Sequence, residues 1–389
     1  MTRLILTGGG TGGHIYPALA IGDGIKRRWP GTEIFYIGTK GGMESRIVPE
    51  AGYPFRGITA EGWQGRKIRS LASALRADHR GRREAANLLG ALKPQAVIGT
   101  GGYVCLPVAL AAIQKHIPVF IHEPNAFPGL TNRIISAWAK GIMVSFEEAA
   151  GYFPPHARKR VEVTGLPVRE SIADADREEA YRFYGLGKGR VTILAAGGSQ
   201  GAARINQAML HVIRELNGSA GVQILFATGR RDYEQIKAEL EEGGISPDRS
   251  EGGGNIRVLP YIDRMDLAYA AADVFIGRAG ASTLAEITLC GLPAILIPLP
   301  GAAENHQAHN AASLADRGGA MALEDRALTG PLLLKAVREL IDDGERRQAM
   351  SACSSQAAFK RALEDILDVL ADTIEAGGGS GTERGGVGS

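Results

Sequence analysis

Leu4-Ile5-Leu6-Thr7-Gly8-Gly9-Gly10-Thr11-Gly12-Gly13-His14 carries a short apolar run straight into a glycine-rich turn, and a helix-like stretch from Ile15 to Arg28 follows. The same order of apolar run, glycines and helix recurs at Gly99-Thr100-Gly101-Gly102 and at Gly197-Gly198-Ser199-Gln200-Gly201. Glycine lets the backbone turn sharply and approach a ligand closely. The first amides of the helix that follows offer donors and a partial positive charge to an anion. One such turn is weak evidence. Three, divided between the two halves of the chain, point to phosphate handling in two nucleotide-type domains facing one cleft.

Around these turns, apolar β-branched runs alternate with helical patterns. Leu4 to Leu6, Ile34 to Ile37, Ala96 to Ile98, Val119 to Ile121 and Ile142 to Val144 read as strands in the first half. Val191 to Ala195, Gln223 to Ala227, Ile256 to Leu259, Val274 to Ile276, Ala294 to Ile297 and Ala320 to Leu323 read so in the second. Intervening segments such as Leu71 to Leu92 and Ala202 to Leu216 are long enough to return the chain parallel, so each half predicts a doubly wound α/β sheet. The boundary is expected at Thr164-Gly165-Leu166-Pro167, giving domains over 1–165 and 166–358. A terminal helix over 359–373, with Phe359, Leu363, Ile366, Leu367 and Leu370 at helical spacing, is expected to dock, one option being the first domain. Residues 377–389 read as a flexible glycine-rich tail.

At 389 residues and 44% hydrophobic composition, two buried cores are affordable. A formal charge of +2 gives no global reason to expect nucleic acid. Cys105, Cys290 and Cys353 lack paired spacing, which argues against a disulfide framework or zinc site and for a reducing cytoplasm. The amino terminus enters its first strand at once, leaving no room for a signal peptide, and no run reaches the roughly 20 apolar residues of a membrane span.

The first turn satisfies the dinucleotide pattern through Gly8, Gly10 and Gly13, but Ile37-Gly38-Thr39-Lys40 lacks the carboxylate that would grip a ribose. None of the turns has a Walker ending. His14 follows the first turn at the carboxyl edge of the sheet, either as a base for an attacking hydroxyl or as a hydrogen bonder of the turn. His122-Glu123 sits at the same edge, where loop ordering, with the carboxylate orienting the imidazole, is preferred over catalysis. Asp174-Ala175-Asp176 matches a metal-binding D-x-D spacing, yet it precedes a helix, so capping explains it and no metal cage is expected. Arg169 offers a planar donor set to a departing diphosphate. Glu286, a turn into the helix after Val274 to Ile276, either accepts from ribose hydroxyls or complements the helix dipole. Arg66, Lys67, Ile68, Arg69, Leu71, Leu75 and Arg76 open a cationic segment with interleaved apolar residues, either a surface for anionic lipid or a solvated helix face.

Taken together, Thr7 to His14, Gly99 to Tyr103, His122-Glu123-Pro124-Asn125, Gly197 to Gly201 and Ala281 to Glu286 resemble the MurG family of peptidoglycan N-acetylglucosaminyltransferases, over residues 1 to about 370. The resemblance implies a GT-B fold of two Rossmann-like domains. It also implies inverting transfer of GlcNAc from UDP-GlcNAc to lipid I, forming lipid II, with no cofactor. The setting it implies is peripheral, at an anionic membrane surface on the cytoplasmic face of the inner membrane, with cell-wall synthesis proteins as further partners. By the same resemblance Ser199 and Gln200 hold the donor diphosphate, Ile262 meets uracil through its backbone, Glu286 binds ribose and Gln307 the sugar. Thr11, Gly12, Gly13, Asn125, Arg169 and the run Ala281-Ser282-Thr283-Leu284-Ala285 match further donor contacts, and His14 becomes the favoured base. Pro124 and Leu166 depart from the family, which often has Gln and Asn there. The rival from another class is a UDP-sugar 2-epimerase on the same scaffold; a nucleotide-sugar sensor is a third reading.

Overall fold

The computed structural model describes residues 2–62, 68–198, 201–247 and 255–378, and the chain divides into two compact units. Unit 1 comprises Met1–Pro167 and Arg361–Ser389; unit 2 is Val168–Lys360.

Unit 1 runs β1 (Arg3–Thr7), α1 (Gly12–Arg28), β2 (Glu33–Thr39), α2 (Glu44–Glu50), β3 (Phe55–Ile58), α3 (Ile68–Leu92), β4 (Ala96–Gly99), α4 (Cys105–Gln114), β5 (Val119–Glu123), α5 (Leu130–Ile135), β6 (Gly141–Val144), α6 (Pro155–Arg158) and β7 (Val161–Val163). Unit 2 runs α7 (Glu170–Ala173), α8 (Arg177–Tyr184), β8 (Val191–Ala196), α9 (Ala203–Leu216), β9 (Val222–Ala227), α10 (Tyr233–Glu242), β10 (Ile256–Leu259), α11 (Met265–Ala271), β11 (Val274–Gly277), α12 (Ala281–Leu289), β12 (Ala294–Leu296), α13 (His306–Asp316), β13 (Ala320–Ala322), α14 (Gly330–Ile341) and α15 (Gly344–Gln356). The last helix, α16 (Ala362–Gly378), belongs to unit 1. It extends beyond the expected end at 373 and takes in the first two residues of the expected tail; 379–389 lie outside the described residues.

Unit 1 holds a seven-stranded sheet in the order β3-β2-β1-β4-β5-β6-β7, and unit 2 a six-stranded sheet in the order β10-β9-β8-β11-β12-β13. All pairings are parallel, with Leu4 opposite Ile34 on one side and Ala96 on the other. Parallel strands need covering on both faces, and unit 1 shows how side-chain alternation supplies two cores. Ile5, Ile37, Val97, Ile121 and Ile142 enter one cluster with α4. Their neighbours Leu4, Leu6, Tyr36, Ile98 and Phe120 enter the other, with α1. That second cluster also takes Ile366, Leu367, Leu370 and Ile374 of α16. Each contributes roughly 1.5–3 kcal/mol by leaving water, which is what holds the terminal helix on unit 1.

In both sheets the order reverses beside the first strand, between β1 and β4 and between β8 and β11. Ligand crevices of doubly wound sheets lie at the carboxyl ends of strands at such switch points. The first two glycine turns leave β1 and β4, and the third leaves β8, so all three sit at a switch point.

Candidate functional site

The two turns of unit 1 pack on each other. Gly9 N donates to Gly101 O at 3.3 Å, and Thr100 N donates to Thr7 O at 2.9 Å. Gly102 has φ +85°, and a Cβ there would fall 2.2 Å from the Gly9 carbonyl oxygen, so no side chain fits. The glycines are thus required by turn-on-turn contact, a reason separate from the anion cradle the sequence suggests. The Gly10 amide also faces Glu44, whose Oε2 accepts from it at 3.4 Å while Oε1 accepts from Thr39 N at 2.9 Å. Glu44 is fully buried.

His14 lies in the first turn of α1. Its Nδ1 is 2.9 Å from Thr100 O. A carbonyl oxygen only accepts, so Nδ1 carries a proton, and in the tautomer this selects the ring's lone pair is on Nε2. The ring lies against Gly101, where a Cβ would come within 2.8 Å of both Nδ1 and Cε1. Thr100 Oγ1 in turn donates to His14 O at 2.6 Å, clamping residue and ring together.

His122 and Glu123 are adjacent on β5 and therefore face opposite sides. The carboxylate does not orient the imidazole, which corrects that part of the sequence reading. His122 Nε2 donates to Gly165 O at 2.9 Å, and Nδ1 has no hydrogen-bond partner among the described residues. Burial lowers its pKa to about 4. Glu123 accepts from Asn125 N at 2.9 Å, Asn125 Nδ2 at 3.2 Å, Gly129 N at 3.1 Å and Asn132 Nδ2 at 2.8 Å. It orders the loop over 125–129 and ties the first turn of α5 to it through Asn132. Burial pushes its pKa up to about 7 despite these four bonds.

In unit 2 a cavity of about 250 Å³ opens at the carboxyl ends of β8, β9 and β10. Arg169, Tyr261, Ile262, Tyr269, Thr283 and Glu286 are among its lining residues. Of the predicted run 281–286, only Thr283 and Glu286 line it, three apart on one helix face, while Ala281 and Leu284 are buried in the core. Glu286 Oε2 accepts from the Tyr269 hydroxyl at 2.9 Å, and Arg169 Nη2 stands 3.8 Å from Oε1. Burial raises the Glu286 pKa, opposed by Tyr269 and Arg169. Gln307 is not among the cavity residues; its Oε1 accepts from Leu299 N at 2.9 Å. Asp176 caps α8, accepting from Glu179 N at 2.7 Å, so this half of the D-x-D acts as a cap. Among the described residues no group of three His, Cys, Asp or Glu side chains is placed to hold a metal ion.

Ser199, Gln200, Arg66 and Lys67 lie outside the described residues, as do the side chains of Ile68, Arg69, Leu71 and Leu75. Arg76 is exposed on α3; further along that helix Arg80 meets Glu84 at 3.1 Å and Arg82 meets Gln114 at 3.1 Å, so part of the basic face is paired. No helix among the described residues is long and apolar enough to cross a membrane. Sequence reasoning passed over Glu44 and Tyr269, and took Thr100 only as part of the second glycine turn. The only local signal was the lone tyrosine in Ala268-Tyr269-Ala270-Ala271.

Two parallel doubly wound sheets, with a cavity at the strand ends of the second, make the GT-B fold. Models described as the glycosyltransferase family 28 N-terminal and C-terminal domains match residues 4–144 and 192–366. The chain belongs to glycosyltransferase family 28. It is 46% identical over 365 residues to the UDP-N-acetylglucosamine–N-acetylmuramyl-(pentapeptide) pyrophosphoryl-undecaprenol N-acetylglucosamine transferase of Desulforamulus reducens, covering 94% of this chain and 97% of that protein. The crystal structure of Acinetobacter baumannii MurG is similar at TM-score 0.77 and 28% identity, covering 96% of this chain and 100% of that one. A UDP-GlcNAc 2-epimerase from Neisseria meningitidis shares the fold at TM-score 0.63, covering 96% of this chain and 100% of that one, but only 12% of the sequence.

Proposed function

We propose that this enzyme transfers GlcNAc from UDP-GlcNAc to the 4-hydroxyl of MurNAc in undecaprenyl-pyrophosphoryl-MurNAc-pentapeptide, forming lipid II. The near-full-length 46% identity to a transferase of that name is the observation that carries the reading. His14 Nε2 takes the proton of the acceptor hydroxyl as its oxygen attacks the anomeric carbon. The bond from that carbon to UDP breaks with its electron pair, and configuration inverts. The donated Nδ1–H···O bond to Thr100 supports this role, since it fixes the tautomer whose Nε2 accepts.

Glu286 accepts from the ribose hydroxyls, Ile262 meets uracil through its backbone, and Arg169 with Ser199, Gln200 and helix amino ends steadies the departing diphosphate. Thr11, Gly12, Gly13 and Asn125 contribute further donor contacts. Gln307 serves the sugar through its NH2 group, its oxygen being engaged by Leu299 N. The α3 segment lies against anionic lipid on the cytoplasmic face of the membrane.

The purified chain, mixed with labelled UDP-GlcNAc and lipid I, should yield labelled lipid and UDP. UDP-GlcNAc alone should stay unchanged; its epimerisation without acceptor would overturn the reading. His14→Ala should lower turnover at saturating acceptor by 10²-fold or more, and near-normal turnover would remove the histidine from the base role.

A further inference from the structure

We propose that Tyr269 is a positioning residue for nucleotide recognition, holding the Glu286 carboxylate in the one orientation that receives the ribose hydroxyls; this rests on the ribose role of Glu286 given above. Tyr269 stands on α11 and Glu286 on α12, 17 residues apart, and both line the unit 2 cavity. The phenol ring is 2% exposed and tilted at 56° against Phe275 of β11, with centroids 6.0 Å apart. A ring packed in this way cannot swing, so its hydroxyl is a donor at a fixed point.

That donor meets Glu286 Oε2 at 2.9 Å. Glutamate has three side-chain torsions, and an untethered carboxylate would have to give up that freedom on binding. With Oε2 anchored, the carboxylate loses most of its rotational freedom, and Oε1 lies on the side where Arg169 Nη2 stands 3.8 Å away. Burial and the neighbouring carboxylate keep the phenol protonated, so it donates at any working pH. Phenylalanine would fill the same core volume. The hydroxyl is therefore the part of Tyr269 that the core does not need, and its partner is the carboxylate of the site.

Tyr269→Phe in the full chain tests this, with calorimetric titration of UDP and of 2′,3′-dideoxy-UDP, which lacks both hydroxyls. The variant should bind UDP about three- to tenfold more weakly and dideoxy-UDP as the parent does, with donor KM raised and kcat at saturating donor unchanged. In a Glu286→Ala background the same substitution should have no further effect on UDP. Equal weakening of both nucleotides would mark a structural role for the hydroxyl and overturn the inference, as would unchanged UDP affinity. Glu286→Ala alone separates the two levels of the argument. If it leaves UDP affinity intact, the ribose reading itself fails. If it weakens UDP while Tyr269→Phe does not alter the preference for the ribose diol, only the positioning role fails.

Discussion

His122 and Glu123 are neighbours in sequence, both fully buried, and titrate in opposite senses, which makes their joint effect on stability predictable. Glu123 moves from its ordinary 4.5 up to about 7. The folded chain holds this proton more tightly than the unfolded one, so the contribution is complete below pH 4.5 and lost as pH rises to about 7. His122 moves from 6.5 down to about 4. Its contribution is complete above pH 6.5 and lost as pH falls towards 4. Each slope is about 1.4 kcal/mol per pH unit, and between pH 4.5 and 6.5 they cancel. Glu123→Gln removes one of them. The variant loses a fixed increment from mispaired loop amides, but its stability relative to the parent should climb by about 3 kcal/mol from pH 4.5 to 7. His122→Asn should do the reverse, losing ground to the parent as pH rises over 4 to 6.5. All three tryptophans, Trp29, Trp63 and Trp138, belong to unit 1, so urea unfolding followed by tryptophan fluorescence reports the unit that contains both residues. A difference from the parent that stays flat with pH for either variant would refute the opposed-burial argument.

Gly102→Ala should destabilise unit 1 by about 2–5 kcal/mol, combining the left-handed backbone with a Cβ driven into the Gly9 carbonyl, whereas Gly52→Ala, also left-handed but with open space around it, should cost about 1–2 kcal/mol; equal losses in the same urea assay would contradict the packing explanation. Asp176→Ala should lower the calorimetric stability of unit 2 by about 1 kcal/mol through loss of the α8 cap, with UDP affinity unchanged, and a large drop in affinity would return the D-x-D to the site. Uridine, which carries no phosphate to titrate, should bind more weakly as pH falls through the raised pKa of Glu286, because a protonated carboxyl loses acceptor capacity. Among the described residues Tyr269, Arg169 and Cys290 interact with it, and Arg169→Ala should move this acid limb to higher pH; an unmoved limb would mean another group governs it.

Most of the sheet was legible because a strand buried on both faces is a continuous apolar run, as in Leu4-Ile5-Leu6 or Val274-Phe275-Ile276. The elements overlooked lack that signature. The edge strand β3 reads Phe-Arg-Gly-Ile with its arginine exposed, and α2 is seven residues long with Pro49 inside it. Strand order cannot be read from periodicity at all, and with it went the knowledge that the turns after β1 and β4 meet. The site divided along the same line. Glu286 was visible because it stands a turn into the helix that follows an apolar strand, and Thr283 entered through the family resemblance, while Glu44, 34 residues from Gly10, and Tyr269, 17 from Glu286, act through contacts made only by the fold.

The glycine turns show why a motif and its use separate. In both units the turn after the first strand lies at the place where the sheet order reverses, so its glycines report a topological position shared by the two sheets. What a ligand meets there depends on the side chains beneath. In unit 1 the Gly10 amide already faces a buried carboxyl group, and the neighbouring turn is filled by backbone and by the His14 ring. An amide so engaged has little left for a diphosphate, whereas a neutral hydroxyl needs only the imidazole lone pair. In unit 2 the strand ends instead open a cavity with Arg169 and Glu286 on its wall, the pairing of cation and acceptor that a nucleotide requires. Introducing Glu44→Gln tests the distinction. The amide oxygen can accept from only one of the Thr39 and Gly10 N–H groups, and the NH2 group faces the other, so the first turn should loosen and acceptor turnover fall, while UDP affinity, if unit 2 carries it, should not move. A matching loss of UDP affinity would place the diphosphate at the first turn after all.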